Sequence, residues 1–223
     1  MNKFISLYLD GPMQSWGYMS KFDQRTSLAY PTKSGVCGML CAAIGIARSE
    51  KDKLADLTQL GMTVFVLTPL NRVVDFHTVG GGYDKSKSSY DKQSIVTNAK
   101  GKTGNTVVTR REYLLDAKFA VVLEGDPTLI LNLELAMKNP KWGVWLGRKS
   151  CVPTVPISQG CHENIGDALE AAKLAYRKTY GKDCEVRKNI ADVSNFADGS
   201  DSFMDTPLDF EKREFSLRRV ALD

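Results

Sequence analysis

Between Gly80 and Arg111 the chain places seven cationic side chains, Lys85, Lys87, Lys92, Lys100, Lys102, Arg110 and Arg111, against only Asp84 and Asp91. The 223 residues together carry +4, so everything outside this stretch sums to about −1 and the positive excess is local. The stretch opens on Gly80-Gly81-Gly82 and holds no Leu, Phe, Met or Trp, so it can bury little. Its apolar content is Ile95-Val96 and Val107-Val108, with Tyr83 and Tyr90 near its start. A projecting, mostly solvated hairpin fits this composition. Its lysines suit phosphates and its tyrosines suit stacked bases. A solvated surface loop without a partner is the competing reading.

Two glycine-bounded segments could complement it. Asp10-Gly11-Pro12-Met13-Gln14-Ser15-Trp16-Gly17 closes an apolar run and puts an amide, Gln14, and an indole, Trp16, on a tight loop. Together they could read and stack an unpaired base, or Trp16 could fill the protein's own core. Tyr30-Pro31-Thr32-Lys33-Ser34-Gly35 precedes an apolar helical run. Free backbone N–H groups, the helix dipole, the Ser34 hydroxyl and the Lys33 amine would converge on a phosphate there, while Thr32 could simply cap the helix. It is not a nucleotide-binding P-loop, whose glycine spacing is missing.

His77 is one of only two histidines, and an imidazole is the natural base for a ribose 2′-OH. A hydrogen-bonding role for His77 at the base of the basic stretch is the alternative. The five cysteines are odd in number and scattered, which argues against a disulfide framework. Cys37 and Cys41 with Cys161-His162 make a poor zinc set, so buried thiols, no metal and no cofactor are expected. No apolar run approaches bilayer length, and polar Asp10 and Gln14 interrupt the N-terminus too early for a signal peptide. These features place the chain in the cytoplasm, away from membranes.

The elements that must hold these residues follow from periodicity. Lys3 to Asp10 reads as a strand, Gly35 to Ala47 as a buried helix and Lys51 to Leu60 as a second short one. Met62 to Leu67 and Arg72 to Val79 read as strands, and Glu112 to Leu123 as another. Leu129 to Met137 is a helix started by Asp126-Pro127, followed by extended chain at Val152 to Pro156. Asp167 to Lys178 is an amphipathic helix that covers the sheet or docks a neighbour. Asp183 to Val193 and Glu214 to Ala221 read as strands, and Asn195 to Pro207 as a polar loop. Up to residue 160 the order is βαββαβ, an α+β, ferredoxin-like sandwich of the kind RNA-recognition domains use. The expected division is a domain over residues 1–158, with the basic insertion at about 80–111, and a small C-terminal appendage over residues 159–223.

Six motifs in order resemble the fifth family of CRISPR-associated (Cas) RAMP proteins, in its type I-E branch. They are Gly11 to Gly17, Pro31 to Gly35, Asp75-Phe76-His77-Thr78-Val79, Thr109-Arg110-Arg111-Glu112-Tyr113-Leu114, Leu146-Gly147-Arg148-Lys149-Ser150-Cys151 and, more faintly, Arg213-Glu214-Phe215. The resemblance implies a RAMP domain with a long β-hairpin "thumb" between its second and third strands, where the basic stretch lies. It implies a non-catalytic subunit of Cascade that caps the 5′ handle of the CRISPR RNA in antiviral defence. Its neighbours would be a CasC-like backbone subunit and a CasA-like large subunit, with target DNA met through the complex. Gln14, Trp16, Lys33, Arg110, Arg148 and Lys149 would converge on the handle, with Ser34, His77, Arg111 and the thumb lysines also binding RNA. A related branch cleaves repeat RNA without metal through a histidine with lysine and tyrosine partners. Phe76 and Thr78 flank His77 here, so a metal-independent endoribonuclease is the secondary reading.

Overall fold

The computed structural model describes residues 1–79 and 107–223. Its framework is a seven-stranded sheet in which every neighbouring pair is antiparallel. β1 (Lys3–Asp10) lies between β9 (Lys118–Gly125) and β10 (Ser158–His162). Beyond β9 come β6 (Gly61–Val66), β11 (Lys188–Asp192), β13 (Glu214–Leu222) and, at the edge, β12 (Asp201–Asp209). The central strands are apolar on both faces because both are covered. Ile5, Leu7 and Leu9 of β1 meet Phe119, Val121 and Leu123 of β9 in the larger core, while Tyr8, Ala120 and Val122 point the other way into a smaller one.

Among the described residues, four α-helices pack on the sheet. α1 (Lys33–Ile44) and α3 (Pro127–Lys138) close the larger core, with α2 (Lys51–Thr58) beside them. Thr32 caps α1 by accepting from the Gly35 N–H at 3.1 Å, and Gly45 ends it in the left-handed conformation at φ 88°. α4 (Ile165–Tyr180) seals the smaller core with Ala168, Ala172 and Tyr176. This answers the alternative posed for the amphipathic helix: its apolar stripe faces the chain's own sheet.

The chain is thus a mixed α and β protein built on a large antiparallel sheet. Three local expectations differ from the structure. The run Glu112 to Leu123 is not one strand: it reverses at Asp116, held at φ 51°, between β8 (Val107–Leu115) and β9. The strand expected at Val152 to Pro156 falls later, in β10, where the backbone again has its N–H groups to pair. The polar segment expected as a loop from Asn195 to Pro207 contains most of β12. Its alternation was hidden because the inward positions include a carboxylate, Asp205, beside Phe203 and Pro207. Residues 159–223 supply the rest of β10, α4 and three further strands of the same sheet.

Beside this framework stands a smaller sheet. β7 (Asn71–Val79) pairs antiparallel with β8 along its full length, from Asn71 opposite Leu115 to Val79 opposite Val107. The other edge of β8 receives β2 (Met13–Gln14) and β4 (Gln24–Arg25), and β3 (Trp16–Gly17) pairs with β5 (Ser27–Leu28). The β7–β8 ribbon leads directly into residues 80–106.

Candidate nucleic-acid interface

Two glycine loops are pressed together where β1 ends. The Ser15 N–H donates to the Leu146 carbonyl at 3.1 Å, and Gly147, at φ 90°, passes against the Ser15 backbone. The N-terminal turn of α1 closes the third side, with Gly35 against the Trp16 ring. Between them lies an open cleft of roughly 240 Å³ lined by Ser15, Ser34, Gly35, Gly147, Arg25 and Arg148 among others.

Arg148 organises the mouth of this cleft. Its Nη1 donates to the Glu112 carbonyl at 3.1 Å and its Nη2 to the Arg25 carbonyl at 2.8 Å. The guanidinium lies over the Tyr113 ring, 4.7 Å from its centroid. Its partners among the described residues are neutral, and it lines the cleft with its charge unpaired by any of them. Lys149 beside it is exposed.

The ladder of the ribbon sorts the remaining cations. Side chains alternate along a strand, and residues opposite each other share a face. Tyr113, Arg111 and Thr109 therefore share one face with Asp75, opposite Arg111, and His77, opposite Thr109. Arg111 Nε donates to the Thr109 hydroxyl at 3.0 Å. This face continues from Arg148 along the ribbon toward residue 79. Arg110 lies on the opposite face with Phe76, and its guanidinium pairs with Asp23 at 3.2 Å. Two arginines adjacent in sequence cannot grip one strand of nucleic acid from the same side.

Several of the expected contact residues have internal partners in the structure. Gln14 is fully buried and its amide donates to the Leu9 and Ala117 carbonyls at 3.1 and 2.7 Å. Trp16 is also fully buried and donates its indole N–H to Gln14 Oε1 at 3.2 Å. Both are packed in the core, with the Trp16 ring behind the wall of the cleft. Lys33 is buried and its amine pairs with Asp192 at 2.9 Å. The anion at the start of α1 is internal as well: Asp205 Oδ2 accepts the Lys33 N–H at 2.8 Å. Arg218 grips Asp205 through two nitrogens at 2.7 and 2.8 Å and reaches Asp192 at 2.8 Å. This network was invisible in the sequence because its members lie up to 185 positions apart, at Lys33 and Arg218.

Ser34 keeps its place on the cleft wall. His77 is half-buried, with Nδ1 enclosed and without a hydrogen-bond partner among the described residues. Lys85, Lys87, Lys92, Lys100 and Lys102 lie outside the described residues. Arg25 and Tyr113 are site residues that sequence reasoning missed; the Tyr113 ring gives no signal until Arg148 is placed over it. No metal-binding cluster occurs among the described residues. Burial pushes the Cys37 thiol up to about 12 and the Cys41 thiol up to about 11, leaving neither as a ready thiolate ligand.

Comparison with known proteins agrees with the motif resemblance. A family model described as CRISPR-associated protein (Cas_Cas5) matches residues 4–221. The chain is 29% identical over 235 residues to the "CRISPR system Cascade subunit CasD" of Escherichia coli (strain K12), covering 100% of this chain and 99% of that one. It resembles a chain of a solved "CRISPR RNA-guided surveillance complex" with a TM-score of 0.75 and 30% identity, over 99% of this chain and 89% of the other. A second structure, described as "Crystal structure of Cas protein", matches with a TM-score of 0.66 and 29% identity, over 99% and 93% of the two chains. With a family match from residue 4 to residue 221, the chain belongs to the CRISPR-associated Cas5 family.

Proposed function

We propose that this chain is a non-catalytic subunit of a Cascade-type CRISPR surveillance complex and seats the 5′ handle of the CRISPR RNA. The observation that carries the reading is the pair of guanidiniums held by neutral partners, Arg148 at the cleft and Arg111 on the ribbon, with Arg25 on the cleft wall beside them. Guanidiniums fixed in this way offer their remaining donors to phosphate oxygens. A CasC-like backbone subunit and a CasA-like large subunit are its neighbours in this reading, and target DNA reaches it through the complex.

The architecture proposed for that task is a ferredoxin-like unit with an inserted thumb over about residues 80–111. In its support, the four strands β1, β6, β9 and β10 stand in the spatial order β10-β1-β9-β6, with helices in the first and last connections. The β7–β8 ribbon interrupts the middle connection, between β6 and β9. Residues 159–223 complete its last strand, β10, and then extend its sheet with β11, β13 and β12.

Absence of catalysis is part of the proposal. His77 is held in a strand opposite Thr109, without a lysine beside it in the ladder. The test is binding of a labelled handle oligonucleotide by the purified chain, at several salt concentrations, with incubation for hours and inspection for cleavage. Salt-dependent retention of intact RNA is expected. Cutting at one repeat position that is abolished in His77→Ala would replace this reading with the nuclease.

A further inference from the structure

The α1 end of the cleft is backed by residues far away in sequence. β12 and β13 carry three buried side chains there: Phe203 and Arg218, opposite each other in the ladder, and Asp205. The ladder shifts register between Met204 and Thr206, so Asp205 lies at a bulge, an irregularity that re-aims a side chain.

Each of the three grips the chain next to a residue that lines the cleft. The Phe203 ring meets Tyr18 edge-on at 5.6 Å and Tyr30 at 5.9 Å between centroids. Tyr18 and Tyr30 bracket the segment that brings Ser20 and Arg25 to the cleft. Asp205 accepts the Lys33 N–H at 2.8 Å, between cleft-lining Thr32 and Ser34. Arg218 fixes that carboxylate through two nitrogens and also reaches Asp192, which accepts from Lys33 Nζ at 2.9 Å.

Stability alone accounts poorly for this arrangement. Apolar side chains of similar volume would hold helix to sheet at least as well as two carboxylates closed on two buried cations. What the closed network adds is direction, because its bonds are satisfied only when α1 starts at one place and in one orientation.

We infer that Phe203, Asp205 and Arg218 are positioning residues for the cleft. Through Tyr18, Tyr30 and Lys33 they hold Arg25 and the Ser34–Gly35 turn where RNA is received, without touching RNA themselves. The inference rests on the proposed seating of RNA in this cleft. It gives the C-terminal hairpin a part in recognition although none of its residues lines the cleft.

The test compares Phe203→Leu and Asp205→Asn, both close to native volume, with Val122→Ala. Val122 lies in the smaller core on the other face of the sheet, so its variant controls for a general loss of stability. Phe203→Leu leaves the ion network whole and carries the test alone if Asp205→Asn does not fold. Two quantities are read on each variant: hydrogen exchange in peptides covering residues 16–35, and handle-RNA affinity of the folded fraction across a salt series. Both test variants should exchange faster there than the control. Their affinity should fall roughly three- to tenfold, the cost of ordering one or two side chains again on binding. The salt slope should keep its wild-type value, since a lost phosphate contact would take about one unit from it. Val122→Ala should bind within about twofold of wild type. Unchanged exchange overturns the inference, as does affinity within about twofold of wild type despite faster exchange. A slope flattened by about one unit overturns it too, because the hairpin then meets RNA itself. So does a control that loses as much affinity as the test variants. A wild-type chain that binds no handle RNA at any salt sinks the RNA reading instead, and the exchange data alone then decide whether the hairpin holds the cleft.

Discussion

Gly147 passes so close to Ser15 that a Cβ built on it would lie 1.8 Å from the Ser15 carbonyl oxygen, and its φ of 90° is one that side-chain-bearing residues avoid. Both facts set the same requirement: this position must be glycine for the two loops to enclose the cleft. Gly147→Ala is expected to lose about 2–4 kcal/mol of stability, because backbone on both sides has to move. Gly17→Ala is the matched control, since a Cβ there would meet nothing within 4 Å. Denaturant midpoints that shift equally in the two variants would show that the close approach is unimportant.

Trp16 tests the division between core and interface. The side chain is fully buried and its N–H is held by Gln14. Trp16→Ala should therefore cost about 3–5 kcal/mol of stability. Handle affinity, corrected for the folded fraction, should stay near wild type. A protein of native stability with affinity reduced tenfold or more would return the indole to the RNA site.

The network at the start of α1 pairs two cations, Lys33 and Arg218, with two anions, Asp192 and Asp205. Burial alone would lower the Arg218 pKa, but the hydrogen bonds and charges of Asp205 and Asp192 outweigh it, so the group stays charged at all ordinary pH. Arg218→Met leaves Asp205 buried without its partner and is expected to cost about 3–5 kcal/mol. Adding Asp205→Leu restores the balance of charge and should recover part of that loss. The recovery is incomplete because the Lys33 N–H loses its acceptor, a cap contribution of about 1 kcal/mol. A double variant less stable than Arg218→Met would show that the two residues do not act as a pair.

Much of this architecture was legible in the residues. β1, α1, α3 and α4 announce themselves through apolar periodicity, and α1 and α3 also through their caps at Thr32 and Asp126. β12 did not, because a strand that buries a carboxylate against a distant arginine looks polar until the arginine is placed. The same reason hid the fate of Lys33. A lysine and a helix N-terminus read locally as a phosphate site, and only the return of β12 and β13 shows that Asp205 already fills it. Composition singles out the segment that holds Arg110 and Arg111, whereas their division between two faces required the register of Asp75 opposite Arg111 and of Phe76 opposite Arg110.

The thiols offer a test of burial by pH. Burial pushes Cys37 up to about 12 and Cys41 up to about 11, and Cys161 reaches about 11 through burial followed by the nearby Glu134 charge. A raised pKa keeps each of these groups as the unreactive thiol at pH 8, and thiolate appears only as pH rises toward those values. Alkylation of the native protein at pH 8, followed by mass spectrometry, should label half-buried Cys184 first and Cys37 last. Denaturant should make all five labels appear at comparable rates. Rapid labelling of Cys37 in the native protein would contradict the packing of α1 against α2.

Arg110 and Arg111 allow the RNA-binding face to be identified with two single substitutions. They are neighbours in sequence with the same formal charge, so composition alone makes their loss equivalent. Register separates them: Arg111 shares a face with His77 and Tyr113, whereas Arg110 sits over Phe76 and closes on Asp23. A phosphate contact contributes about one unit to the slope of log affinity against log salt. Arg111→Ala should flatten that slope by about this amount and weaken handle binding at low salt more than at high. Arg110→Ala should leave the slope near wild type, because its guanidinium is already neutralised, and it also frees Asp23 to repel any phosphate that does approach. The measurement is a salt series of handle binding on wild type and both variants. Equal slope changes in the two would mean that RNA wraps both faces of the ribbon. A change in Arg110→Ala alone would reverse the assignment of faces, placing the RNA against Phe76.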